Sequence, residues 1–282
     1  MTWLTPSQTG SAVVVVPLLV MAAAVAVAAL RIRRAGDGRR VVGPAAVAAV
    51  AAVVAVVVEP GNVVPGLLIA FPVGLAGLLL LGRGLFRAPG VVLMGGTAGA
   101  FAMAVVATQY ATGGTGEWGG RYFAIAIPVA VPVLVLALLR TGRRLPPKTA
   151  ARALAALVVC SLAMTTMALA SHRSRVRAST ALGASVARAG VAIGGDRPVV
   201  VSTDVILPRL AWDAFDEVRW LVATPDQVAA VVASLRRADV ERFGLVTATP
   251  ERERRRLGRA EVISTEVLDG SALAMLVIDA GP

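Results

Sequence analysis

The chain carries one cysteine and one histidine in 282 residues, and aromatics make up only 4% of it. With Cys160 alone, no disulfide can close within the chain, and no Cys/His spacing suited to zinc exists. The sequence therefore implies no cofactor, and a divalent metal is not derivable from it. Cys160 lies inside an apolar run and reads as a small lipid- or helix-facing residue. His172 stands at the exit of the last apolar run, where an interfacial polar residue is expected rather than a catalytic base. Acidic residues are scarce where they are most needed to balance charge. Residues 1–171 hold 3 Asp/Glu against 13 Lys/Arg, whereas residues 172–282 hold 14 against 15. The pI near 11.5 thus belongs to the first part. A nucleic-acid binder would carry such an excess on a folded surface, but here it sits in short loops between apolar runs, so no nucleic acid is expected as a partner.

What is abundant is apolar sequence: 57% of residues are hydrophobic and the mean hydropathy is +0.76. Six runs, at 12–30, 41–58, 65–82, 90–110, 123–139 and 153–171, contain no Asp, Glu, Lys, Arg or His. Each approaches the ~20 residues that a bilayer-spanning helix needs. The expected fold is a membrane all-α bundle of about six transmembrane helices, followed by a small extracytoplasmic α/β domain. The expected divisions are a helical domain at 1–171, a connector at 172–190 and the α/β domain at 191–282. The first run lacks a basic lead-in, since Arg31, Arg33 and Arg34 follow it, so a cleavable signal is not expected. The loops at 31–40, 83–89 and 140–152 hold 12 of the 13 basic residues of this half. That bias places both termini outside the cytoplasm of a multi-pass protein of the plasma membrane. Arg173, Arg175 and Arg177 pull weakly the other way. No run carries the intramembrane charge that pumps and ion-coupled transporters require. The dense small residues Gly95, Gly96, Ala98, Gly99 and Ala100 fit close helix packing or an Ala/Gly-rich coding background equally well.

From Pro198 the rhythm becomes that of a soluble α/β fold. Strands are expected at Val199–Thr203, Arg219–Ala223, Phe243–Thr247, Ala260–Ser264 and Leu273–Ile278, and helices at Pro208–Phe215 and Pro225–Ala238, the second capped by Thr224. Such alternation implies a partly parallel sheet in a layered sandwich. Glu251–Arg256 reads as a solvated helical turn. Asp204 follows a strand directly; it either faces a ligand at the strand's carboxyl end or caps the next turn. Trp212 and Trp220 are expected as core or membrane-facing aromatics. Residues 172–282 contain no nucleotide-binding glycine motif, nucleophile elbow or HExxH.

The most specific stretch runs from Gln109 to Leu139, QYATGGTGEWGGRYFAIAIPVAVPVLVLALL. A polar, glycine-rich segment with Glu117, Trp118, Arg121 and Tyr122 leads straight into an apolar run containing Pro128 and Pro132. An arginine at a membrane boundary can hold a lipid phosphate through charge-assisted bonds, and Trp and Tyr anchor there. An aromatic belt with Arg121 snorkelling to headgroups explains the same residues. Trp118, Gly119, Arg121 and Tyr122 resemble the Trp-Gly-x-Arg-Tyr/Phe element of the protein-mannosyltransferase-like glycosyltransferases of the C-type fold. These polytopic enzymes use lipid-phosphate sugars. In layout the resemblance covers roughly residues 60–282; in motif it covers about 15.

The resemblance implies a glycosyltransferase-like membrane protein, or its C-terminal portion, that moves a sugar from a lipid-phosphate donor to a cell-envelope acceptor. It implies that Arg121, flanked by Trp118 and Tyr122, holds the lipid phosphate, and that Glu117 or Glu59 orients the acceptor or a metal. Membrane lipid and a polyprenyl-phosphate-linked sugar are the implied partners. The family's catalytic acid lies in a first outer loop that this sequence does not show, so no catalytic residue is assigned. A truncated reading frame, a degenerate relative, or a partner subunit supplying the N-terminal half would each account for that departure. The competing expectation is a membrane-anchored extracytoplasmic domain that binds rather than catalyses.

Overall fold

The computed structural model describes residues 12–35, 41–58, 67–108, 126–257, 261–269 and 271–280. The chain divides into two compact units, Met1–His172 and Arg173–Pro282.

The first unit is helical. Its elements are α1 (Ala12–Ala35), α2 (Val42–Val58), α3 (Leu67–Ala70), α4 (Pro72–Leu79), a 3-10 turn at Arg83–Arg87, α5 (Pro89–Thr108), α6 (Ile127–Gly142) and the start of α7 (Pro147–Ile193). The core gathers Leu18, Met21 and Val25 of α1, Ala48, Ala52 and Ala55 of α2, Ile69 and Ala76, and Met164 and Met167 of α7. Alanines along α2 let α1 approach closely, and the unbranched methionines fill the space that remains. Gly77 of α4 is required for packing: a Cβ there would lie 2.8 Å from the Leu134 Cβ and 3.2 Å from the Leu134 Cα on α6.

The expected bundle of six spanning helices is not what forms. Among the described residues only two helices are long and apolar enough to cross a bilayer, Val15–Arg34 within α1 and Pro147–Ile193. Val42–Val58, Pro89–Val105 and Ile127–Gly142 are shorter apolar helices. The run at 65–82 is split into α3 and α4 of 4 and 8 residues. The reason is that an uncharged run is not a helix of equal length. The 17 residues of α2 and the 16 of α6 rise about 26 Å or less, short of the roughly 30 Å hydrocarbon core. In the third run Pro72 cannot donate a backbone hydrogen bond. Phe71 before it leaves helical geometry, with φ −123° and ψ 74°, as the residue preceding a proline tends to do.

The second unit is a five-stranded mixed sheet in the order β2-β1-β3-β5-β4. The strands are β1 (Val199–Ser202), β2 (Arg219–Val222), β3 (Arg242–Thr247), β4 (Glu261–Val267) and β5 (Ala274–Asp279). β1 is parallel to both β2 and β3, and β5 is antiparallel to β3 and β4. Side chains alternate between two cores, as the two-residue strand period demands. Val200, Val246, Met275 and Val277 join Leu182, Val186, Ala189 and Ile193 of α7 and Leu207 of α8 (Leu207–Leu210). Val201, Phe243, Leu245, Leu276 and Ile278 join Val228, Val232 and Leu235 of α9 (Val228–Arg237) and Leu257 of α10 (Pro250–Leu257). The result is three layers, helix–sheet–helix. The segment expected as a connector is a continuation of α7, and its stripe at 182, 186, 189 and 193 is part of the sheet's core. Ser185, fully buried, accepts a hydrogen bond from the Asp269 N–H at 3.0 Å and ties this helix to the turn before β5.

Helix α9 starts three residues later than expected. The Thr224 N–H donates to the Gln227 side chain (3.1 Å), and the Thr224 hydroxyl turns to Asp226 instead of capping the helix. The helix expected at Pro208–Phe215 is the short α8 followed by a 3-10 turn at Trp212–Ala214.

Candidate functional site

The five residues that the sequence singles out, Glu59, Glu117, Trp118, Arg121 and Tyr122, lie outside the described residues. What is described is the helix they lead into. α6 opens with Pro128 in its first turn, where the missing N–H is harmless, and carries Pro132 inside.

Beside α6 lies an apolar groove of about 680 Å³. Ala126 at the cap of α6, with Ile127 and Ala130 within it, forms one wall, Phe71 and Phe86 another, and Met164 and Leu169 of α7 a third. Its fourth wall is the small-residue face of α5, with Gly95, Ala98, Gly99 and Ala102 three or four residues apart. These glycines do not serve tight packing throughout. A Cβ on Gly99 would meet nothing within 4 Å, whereas one on Gly95 would lie 3.3 Å from Phe86 Cε1. Missing side chains on α5 therefore leave room along the groove. The hydroxyl of Thr165 donates to the Ser161 carbonyl (2.9 Å), so this polar side chain in the wall is satisfied within its own helix. The groove offers volume for a hydrocarbon chain, and besides Thr165 the polar side chain in its wall is Ser161, whose buried hydroxyl has no partner among the described residues.

In the second unit the chemistry-bearing residues collect at the carboxyl ends of β1 and β3. The connection through α8 covers one face of the sheet and that through α9 covers the other, which makes the β1–β3 boundary the switch point where α/β sheets open a crevice. Ser202, Thr203, Asp204, Thr247 and Thr249 meet there. Their hydrogen bonds are mostly local. The Asp204 carboxylate accepts from the Ile206 N–H (2.8 Å), the Ser202 hydroxyl donates to the Asp204 carbonyl (2.7 Å), and the Thr249 N–H donates to the Thr247 hydroxyl (3.1 Å). Asp204 thus acts as the cap of its own turn. Of the two tryptophans, Trp220 packs half-buried against the sheet core, while Trp212 is 67% exposed and stacks on Phe215.

The residue that sequence reasoning missed is Glu253. The run Glu251–Arg256 is solvated except here: Glu253 is 1% exposed. One carboxylate oxygen meets Arg256 at 3.3 Å; the other has no partner among the described residues. The same guanidinium donates to the Pro225 carbonyl at 3.0 Å, joining α10 to the turn before α9. The available signal was its spacing of four from Leu257, which puts both on the inward face. In that turn the Thr224 hydroxyl, the backbone and the nearby Arg256 charge hold the Asp226 carboxyl below the usual aspartate value. Among the described residues no group of three or more His, Cys, Asp or Glu side chains is placed to hold a metal ion. Set against protein-family models, curated proteins and solved structures, the chain matches none of them.

Proposed function

We propose that this chain is a membrane-embedded, glycosyltransferase-like protein, or the C-terminal portion of one, that binds a polyprenyl-phosphate-linked sugar for transfer to a cell-envelope acceptor. Its α/β unit lies outside the cytoplasm. The observation that carries the lipid part of this reading is the apolar groove, whose α6 wall begins at Ala126, five residues after Arg121. In this reading the polyprenyl chain occupies the groove and Arg121 binds the phosphate as a two-pronged donor. Glu117 and Glu59 are then the acids available to orient the acceptor.

Membrane embedding is supported by the surface of the two long helices. Only 28% of the apolar window in α1 and 22% of that in α7 is buried, a surface suited to lipid. Leu19, Leu154, Leu162 and Leu169 present apolar side chains outward. Arg33 and Arg34 end α1, and Arg143, Arg144 and Lys148 bracket the start of α7. Both helices thus carry their basic end on the cytoplasmic side, and the α/β unit emerges on the other.

The test is a binding titration of the full chain in nanodiscs with a polyprenyl-phosphate analogue. Saturable binding is expected. Arg121→Ala is expected to weaken it about tenfold, the loss of one charge-assisted contact, whereas Arg121→Lys should restore only part of it. Absence of saturable binding ends this reading. The second reading, a membrane-anchored binding domain without catalysis, is favoured by Asp204, whose carboxylate is committed to its own turn.

A further inference from the structure

A second apolar cavity, of about 400 Å³, lies at the opposite end of the α6–α7 pair, where the basic residues are. Its walls are Ala28 of α1, Ala45 and Ala48 of α2, Leu138 of α6, and Ala153 and Leu157 of α7, and Arg143 stands at its rim. Alanines on three of these helices leave the space open. The hydroxyl of the one polar side chain in the wall besides Arg143, Thr141, donates to the Ala137 carbonyl at 2.7 Å and is satisfied there. Arg143 is exposed, as are Arg33 and Arg34 at the end of α1, Arg144, and Lys148 at the start of α7. The described residues of this unit include no Asp or Glu to neutralise them.

We infer that this cavity is a binding site for an anionic phospholipid: one acyl chain fills the apolar space and the headgroup phosphate pairs with Arg143. Hydrocarbon is the occupant that apolar walls open to a bilayer accept, and a cationic rim selects negative headgroups. Zwitterionic lipid satisfies the walls but brings no net negative charge to the cationic rim. The inference rests on the membrane reading of the helical unit and is independent of glycosyl transfer.

The experiment is native mass spectrometry of the full chain released from nanodiscs of equal parts phosphatidylglycerol and phosphatidylcholine. Phosphatidylglycerol is expected to be retained in preference, and Arg143→Glu is expected to cut that retention about tenfold. Ala48→Leu, which fills the cavity, is expected to cut it as well. Dihexanoyl phosphatidylglycerol, which has the same headgroup but acyl chains too short to fill the cavity, is expected to compete poorly, and this arm needs no variant. Equal retention of the two long-chain lipids, or of the short- and long-chain forms of phosphatidylglycerol, overturns the inference. An equal loss in Arg144→Glu and Arg143→Glu with no effect of Ala48→Leu also overturns it, because surface charge alone then explains the binding. Release of the chain from membranes by alkaline carbonate would instead overturn the membrane reading itself, and this site with it.

Discussion

At the scale of single residues, Gly244 shows how closely α7 meets the sheet. A Cβ there would lie 2.6 Å from Met275 Sδ and 3.0 Å from Ile193 Cδ1, and both neighbours are buried. Replacing a strand glycine by alanine ordinarily gains about 0.5–1 kcal/mol, but overpacking a closed core costs about 1–3 kcal/mol. Gly244→Ala is therefore expected to destabilise the second unit by about 1–2 kcal/mol, read from chemical denaturation. An unchanged or raised midpoint would show that Met275 simply swings aside. Asp226 supplies a pH prediction. Its carboxyl is held below the usual value, first by the Thr224 hydroxyl, then by the backbone and by Arg256. A depressed acid stabilises the fold above its unfolded value, near 3.9, and that contribution is lost as pH falls through the depressed folded value. The Asp226 carboxyl resonance should therefore titrate at lower pH than a free aspartate, and Thr224→Val should move it upward. No movement would remove the hydroxyl as the main cause.

At the scale of elements, α7 is the informative one, a helix of 47 residues shared between two environments. Its first part has an apolar surface facing outward. Its last part turns Leu182, Val186, Ala189 and Ile193 into the sheet, with Ser185 bonded to Asp269 and Arg188 near Glu266 and Asp269 at 3.7 and 3.6 Å. Those two ion pairs are largely exposed and contribute little; the buried stripe contributes most. Removing three large and one small buried side chain forfeits roughly 5–8 kcal/mol, comparable with the whole stability of a domain. A fragment of residues 173–282 is expected to unfold cooperatively in urea, and a fragment of residues 198–282 is expected to show no cooperative transition. Equal behaviour of the two fragments would show that the sheet does not depend on α7.

At the scale of the whole molecule, the prediction concerns sidedness. In a Cys160→Ser background, a cysteine at the exposed position 196 is expected to react with an impermeant maleimide on intact cells. One at position 144 should react only after permeabilisation. The reverse pattern would overturn the orientation that the basic residues imply. Among the described residues two helices, not six, are long and apolar enough to span, and the orientation is argued from Arg33 and Arg34 at the end of α1 and Lys148 at the start of α7.

Much of the second unit was legible because strand periodicity is local. Each expected strand falls on an observed one within a few residues, since alternating apolar side chains carry their own register. The charge asymmetry and the absence of metal or nucleotide motifs in residues 172–282 are likewise properties of the chain alone. Helix length in the first unit was not, because an uncharged run records composition and not where backbone hydrogen bonding stops. Pro72 and the ends of α2 and α6 decide that. The spacing from Leu257 was the one hint that Glu253 lies in the interior among five charged neighbours, and nothing in the sequence revealed that glycines on α5 leave a groove open while Gly77 packs tightly. Burial and cavities depend on which elements come to face one another, and that is settled only when the chain folds.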